Sequence, residues 1–136
     1  MRGNPMGWMM MVGLLGSGLA LGAAPTPTKE LLEKAASSYS RNCAACHGEK
    51  GDATGPTAAA LVPKPRNFLV EPFKKGNKPE EVFKTLSEGI PGSTMMAFRQ
   101  LSEEDRWALT YYVLELQKPG SMLGGNKSKG GKAKAR

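Results

Sequence analysis

The sequence predicts an all-α domain of three to four short helices, and three observations lead there. Apolar residues recur at helical spacing in Leu31, Leu32, Ala35, Ala36, Tyr39 and Cys43, again in Trp107, Leu109, Tyr112, Val113 and Leu116, and more briefly in Val82, Phe83 and Leu86. Each run opens on a residue suited to start a helix: Thr28, Ser102 and Pro79 respectively. No stretch offers the convincing two-residue alternation of a half-buried strand.

Taken in order, residues 1–24 hold one charge, Arg2, then an apolar run from Met6 to Leu21 and small residues up to Pro25. That is the layout of an export signal. Pro25 disfavours a cut directly before it, so cleavage is expected after Gly22. An uncleaved anchor is the alternative, because Met6 to Ala24 is just long enough to span a bilayer. The glycines in that run favour removal. Pro25-Thr26-Pro27 is a stiff linker.

The body of the domain is expected over residues 25–119. Its first helix runs from Thr28 to about Asn42 and aims its apolar face at Cys43. Residues 48–79 are broken too often by Gly and Pro for a long element, with room for one turn at Thr57–Leu61. So long a loop in a small domain is normally functional or draped on something. A short helix follows from Pro79, with Gly89 as its C-terminal stop. Ile90 to Phe98 reads as an ordered loop, and Ser102 with Asp105 resembles a capping box opening a helix to about Lys118. Gly120–Arg136 is rich in Gly, Lys and Ser and is expected to be a disordered basic tail.

The formal charge of +7 is unevenly placed. Five positive charges sit in residues 120–136 and one at Arg2, so the folded body is nearly neutral. A basic tail without interleaved aromatics is a poor nucleic-acid binder, and no nucleic-acid partner is expected.

Chemistry concentrates at Cys43-Ala44-Ala45-Cys46-His47. Two thiols three positions apart with an imidazole next to them fit covalent haem attachment: the thiols bond the porphyrin's vinyl groups and His47 ligates the iron. A thioredoxin-type redox pair wants a βαβ setting that this chain does not offer. A structural zinc site wants four ligands, and the chain has two Cys and one His. A disulfide would leave His47 unexplained. With both thiols consumed by haem, the porphyrin itself must serve as an apolar centre for a small domain.

Because His47 is the chain's single histidine, bis-histidine ligation within one molecule is removed, and methionine is the usual second strong axial ligand. Of eight methionines, five would leave with the signal and Met122 lies in the tail, which leaves Met95 and Met96. No acid–base pair, nucleophile or phosphate loop is evident elsewhere.

These features resemble the class I (mitochondrial-type) cytochrome c family, particularly its bacterial monohaem members, over about residues 28 to 118. The family's loop pattern Gly-Thr-Pro-Met-Pro-Ala-Phe, laid on Gly92-Ser93-Thr94-Met95-Met96-Ala97-Phe98, puts the ligand at Met95. Met96 stands where relatives have Pro, which should loosen the loop and supplies a rival thioether. The Gly-Pro loop matches Gly55-Pro56, and the resemblance implies that the Pro56 carbonyl accepts the Nδ1 proton of His47. It also implies a crossing of the first and last helices at Ala35 and Tyr39 against Leu109 and Tyr112, slightly widened by Ala35 in place of Gly. Pro65-Arg66-Asn67-Phe68 resembles a Pro-Arg-Asp-Phe segment of relatives, where Arg66 either pairs with a haem propionate or is a solvated loop residue.

What the resemblance implies for function is one-electron transfer by a cytochrome c-like domain packed around one haem c per chain, its iron held by His47 and Met95. The protein would be an electron carrier and not an enzyme, periplasmic after export, and monomeric. Its partners would be redox proteins, with acidic docking surfaces steered by the tail; the tail could instead favour an anionic membrane surface or solubility. The competing accounts are a haem-bearing subunit of a membrane oxidoreductase complex and a ligand-binding or peroxidase-like haem protein.

Overall fold

The computed structural model describes residues 24–119 together with 121 and 123. The export signal or anchor expected at 1–24 and the basic tail expected at 120–136 therefore fall almost wholly outside the described residues. Among the described residues four α-helices follow one another, α1 (Lys29–Asn42), α2 (Ala44–His47), α3 (Pro79–Glu88) and α4 (Glu103–Leu116), with one 3-10 turn at Ala58–Ala60. No strand occurs among the described residues, in keeping with the all-α expectation. Nor is any helix among them long and apolar enough to cross a membrane.

Helix α1 starts where the Thr28 hydroxyl accepts the Leu31 amide at 3.2 Å, a cap worth about 1 kcal/mol. Helix α4 starts at Ser102, whose hydroxyl accepts the Asp105 amide at 3.0 Å and donates to the Asp105 carboxylate at 2.7 Å. The anticipated capping box is thus altered: an Asp side chain, one methylene shorter than Glu, stops at the hydroxyl and does not return to the backbone. Helix α3 makes the return instead, with Glu81 accepting the Lys78 amide at 3.0 Å.

The core forms where α1 packs on α4 and α3 on α4. Ala35, Tyr39, Leu109 and Tyr112, the residues expected at the crossing, are all buried, and the two tyrosine rings lie 4.9 Å apart. Leu32 and Leu109 are almost fully enclosed, each contributing about 1.5–3 kcal/mol. Helix α3 buries Val82 and Leu86 and stacks Phe83 on Trp107 at 4.1 Å. Lys34 on α1 reaches Glu104 at 2.8 Å and Asp105 at 3.3 Å, an exposed bridge that water and salt screen and that contributes little to stability. The arrangement has a simple logic: α4 anchors α1 and α3, and the two chemically interesting segments leave from the C-terminal ends of those helices.

Candidate functional site

Cys43 closes α1 and opens the single turn α2, so the cysteine pair and the histidine share one short helical segment. The His47 amide bonds the Cys43 carbonyl at 2.9 Å and the Gly48 amide bonds that of Ala44 at 2.8 Å. Gly48 then turns the chain at φ +78, a conformation that favours glycine. The buried Tyr39 hydroxyl donates to the Gly48 carbonyl at 2.9 Å, fastening the turn to α1. Cys43 is buried and Cys46 half-buried. Burial, and secondarily the neighbouring Cys46, pushes the Cys43 thiol up to about 12, so it is held protonated.

The segment Gly55-Pro56-Thr57 lies directly on this turn. A Cβ at Gly55 would stand 2.6 Å from the Ala44 carbonyl oxygen, which leaves room only for glycine. The Thr57 amide and hydroxyl both donate to the Ala45 carbonyl, at 3.0 and 2.7 Å.

His47 departs from the expected pairing. Its Nδ1 lies 3.0 Å from the carbonyl oxygen of Arg66, not that of Pro56. The reason is how the loop is divided. Gly55 to Thr57 is occupied with the Ala45 side of the cysteine turn, while the Phe68 amide bonds the Gly51 carbonyl at 2.7 Å and draws residues 66–68 against the imidazole. Phe68 stacks on the ring at 4.4 Å, nearly parallel at 18°. A carbonyl only accepts, so Nδ1 carries the proton and Nε2 keeps its lone pair. Burial lowers the His47 pKa, opposed in part by the Arg66 carbonyl bond, and the ring is neutral at pH 7. A neutral imidazole with one nitrogen engaged by a carbonyl is a prepared metal ligand.

Arg66 itself turns back into its own loop, reaching Glu71 at 3.5 Å and the Pro72 carbonyl. Its guanidinium thereby braces its own loop, with a side chain 17% exposed.

The loop after α3 is pinned without the missing proline. The Ile90 amide bonds the Met95 carbonyl at 3.0 Å, the Ser93 hydroxyl bonds the Ile90 carbonyl at 2.8 Å, and the Met95 amide bonds the Ser93 hydroxyl at 3.1 Å. The Phe98 amide bonds the Leu86 carbonyl at 2.8 Å, closing the loop onto α3. These bonds supply the stiffness that replacement of proline by Met96 seemed to remove. Met95 packs against the core cluster that contains Cys43, Phe68, Leu86 and Phe98, whereas Met96 is 64% exposed.

The donor set fits a covalently held haem: two cysteines three positions apart, an imidazole whose Nε2 keeps its lone pair, and a thioether on the same apolar core. No group of three or more His, Cys, Asp or Glu able to hold a metal ion occurs among the described residues, against the zinc alternative. A family model described as Cytochrome c matches residues 32–117. The chain belongs to the cytochrome c family. Covalently bound haem c, with its iron, is accordingly the cofactor of this cytochrome. Among solved structures it is similar to a chain of the Kuenenia stuttgartiensis reducing HAO-like protein complex, at 32% identity and a TM-score of 0.67. The likeness covers 71% of the cytochrome and 48% of that chain, so the cytochrome spans about half its length. No curated protein matches it.

Two contributors escaped the sequence reading. Phe68 stood in a recognisable segment but gave no sign of stacking on His47. Thr57 gave no signal at all, because its role lies in a backbone carbonyl it reaches.

Proposed function

We propose that this cytochrome holds one haem c through Cys43 and Cys46, with His47 and Met95 as axial ligands, and is a one-electron carrier and not an enzyme. The observation that carries the reading is the contrast between neighbouring methionines. Met95 packs on the core that holds Cys43, in a loop pinned at both ends, while Met96 faces solvent. When bound, the haem iron gives and takes one electron, and methionine ligation raises its potential.

The chain's own residues prepare the rest. The Arg66 carbonyl orients His47, Phe68 covers its ring, and Tyr39 locks the cysteine turn to α1. With both axial positions taken, no coordination site is left for substrate, which favours a carrier over a peroxidase-like protein. Export to the periplasm follows from the N-terminal sequence, and redox proteins with acidic surfaces suit the basic tail. A monomer fits a carrier that shuttles.

A second reading, a haem subunit of a larger redox complex, is favoured by the likeness to a chain from the HAO-like complex. Purification of the exported protein tests both. A mass equal to the processed chain plus one haem, a far-red thioether-to-ferric-iron band, and a single small species in the native extract support the carrier. Absence of that band, with ready binding of carbon monoxide on reduction, contradicts it; co-elution in a large assembly selects the subunit.

A further inference from the structure

We propose that Phe68 is a positioning residue for the axial histidine, its ring stacked on the imidazole and fixing the plane that His47 presents to the iron. The inference rests on His47 as an axial ligand. The torsion that turns an imidazole about its Cβ–Cγ bond is broad, so the backbone alone leaves that plane unset. The Arg66 carbonyl, 3.0 Å from Nδ1, sets one direction within the ring. It does not set the plane, because a hydrogen bond still holds when bent by about 30°. Phe68 supplies what is missing: its ring lies 4.4 Å from the imidazole and 18° from parallel, so His47 cannot turn toward it without collision. Both contacts come from one short segment, residues 66–68, and both leave Nε2, the atom that binds iron, untouched.

Phe68 can do this because it is itself held. Its amide bonds the Gly51 carbonyl at 2.7 Å, and the residue is 7% exposed. A Cβ at Gly51 would stand 3.2 Å from Phe68 Cδ2 and 2.7 Å from Leu116 Cδ1, so the ring lies close on that bare backbone. Phe73 flanks it at 5.8 Å, tilted by 33°. The ring is thereby kept from receding from His47. An aliphatic side chain would fill much of this space without offering a flat face. The direction of an axial imidazole's plane decides how its π orbital meets the iron's d orbitals, and groups around a ligand tune a metal in this way. The g-values of low-spin ferric haem report that direction, and exchange of the Nδ1 proton with solvent reports how firmly the Arg66 bond is kept.

Exported holoprotein is prepared as wild type, Phe68→Leu, Phe68→Tyr and Leu32→Ala in one host. Electron paramagnetic resonance of the ferric proteins gives the largest g-value, and proton NMR of the reduced proteins in heavy water gives the exchange rate of the His47 Nδ1 proton. The leucine variant keeps an apolar side chain and loses the stack; it is expected to shift and broaden the largest g-value and to speed the exchange several-fold. The tyrosine variant keeps the ring and is expected to match wild type in both. Leu32→Ala opens a cavity where α1 packs on α4, at a residue 1% exposed, and is expected to lower Tm with the g-value unchanged. A wild-type g-value or a wild-type exchange rate in the leucine variant overturns the proposal, as does a tyrosine variant that behaves like leucine. The same g-value shift in Leu32→Ala, or loss of all holoprotein in the leucine variant, overturns it too, since either marks a residue that only supports the fold. A wild-type protein without a low-spin, histidine-ligated ferric signal would instead defeat the proposed function itself.

Discussion

Two glycines with similar positive φ, Gly89 at +71 and Gly92 at +76, allow the loop that presents Met95 to be tested by contrast. Replacing either with alanine forces an L-residue into the left-handed region, at about 1–2 kcal/mol. Gly92 adds nothing to that, because a Cβ there meets no atom within 4 Å. Gly89 is different. Its Cβ would stand 2.7 Å from the Met95 carbonyl oxygen, 2.8 Å from the Ala97 amide nitrogen and 2.9 Å from the Met96 carbonyl carbon. All three are backbone, so none can swing aside, and overpacking adds roughly 1–3 kcal/mol. Gly89→Ala should therefore cost about 2–5 kcal/mol and Gly92→Ala about 1–2. For a domain of this size each kcal/mol moves the midpoint by about 4–8 °C, so Gly92→Ala should lower Tm by about 5–15 °C and Gly89→Ala by distinctly more. Thermal unfolding of the ferric holoprotein measures the difference. Because Gly89→Ala displaces the backbone of Met95 itself, the far-red band should weaken in that variant and persist in Gly92→Ala. Equal losses of Tm and an intact band in both would refute the reasoning.

Two further predictions concern the frame around the site. Tyr39→Phe removes the bond to the Gly48 carbonyl, which still accepts from the Gly51 amide at 3.0 Å, so the loss should sit near about 1 kcal/mol, read as a Tm shift of several degrees. A neutral variant would mean the hydroxyl does not fasten the turn to α1. Acid stability should depend on Asp105, whose carboxyl is lowered by the Ser102 hydroxyl and then by Lys34. Its folded pKa lies below the unfolded value of about 3.9, so the stabilisation is complete above that pH and is lost as pH falls through the folded pKa. Tm should be flat above about pH 5 and fall below about pH 4, with a shallower fall in Asp105→Asn; equal slopes in the two proteins would count against it.

Sequence and structure agree where side chains specify the outcome locally. Thr28 and Ser102 cap the helices they were expected to open, Pro79 and Gly89 bracket α3, and the apolar stripe of α1 does lead into Cys43. The site's finer organisation was not legible, because it is built from backbone carbonyls. His47 selects the carbonyl of Arg66 over that of Pro56 through a loop path set by Phe68 and Gly51, and no side chain at 56 or 66 encodes that choice. Thr57 likewise acts by reaching the Ala45 carbonyl. Met95 and Met96 are chemically identical, so only packing distinguishes them: one contacts the core and the other is largely exposed. The altered cap at Asp105 is a matter of one methylene, beneath the resolution of a motif.

The central claim is that one methionine of this pair completes the iron's coordination, and the far-red thioether-to-ferric-iron band tests it most directly. Met96→Leu should leave the band in place, since the residue is exposed and its neighbour keeps its hold on the core. Met95→Leu should abolish the band and let the reduced protein bind carbon monoxide. Loss of the band in Met96→Leu with its survival in Met95→Leu would transfer the ligand to the neighbouring residue and contradict the account.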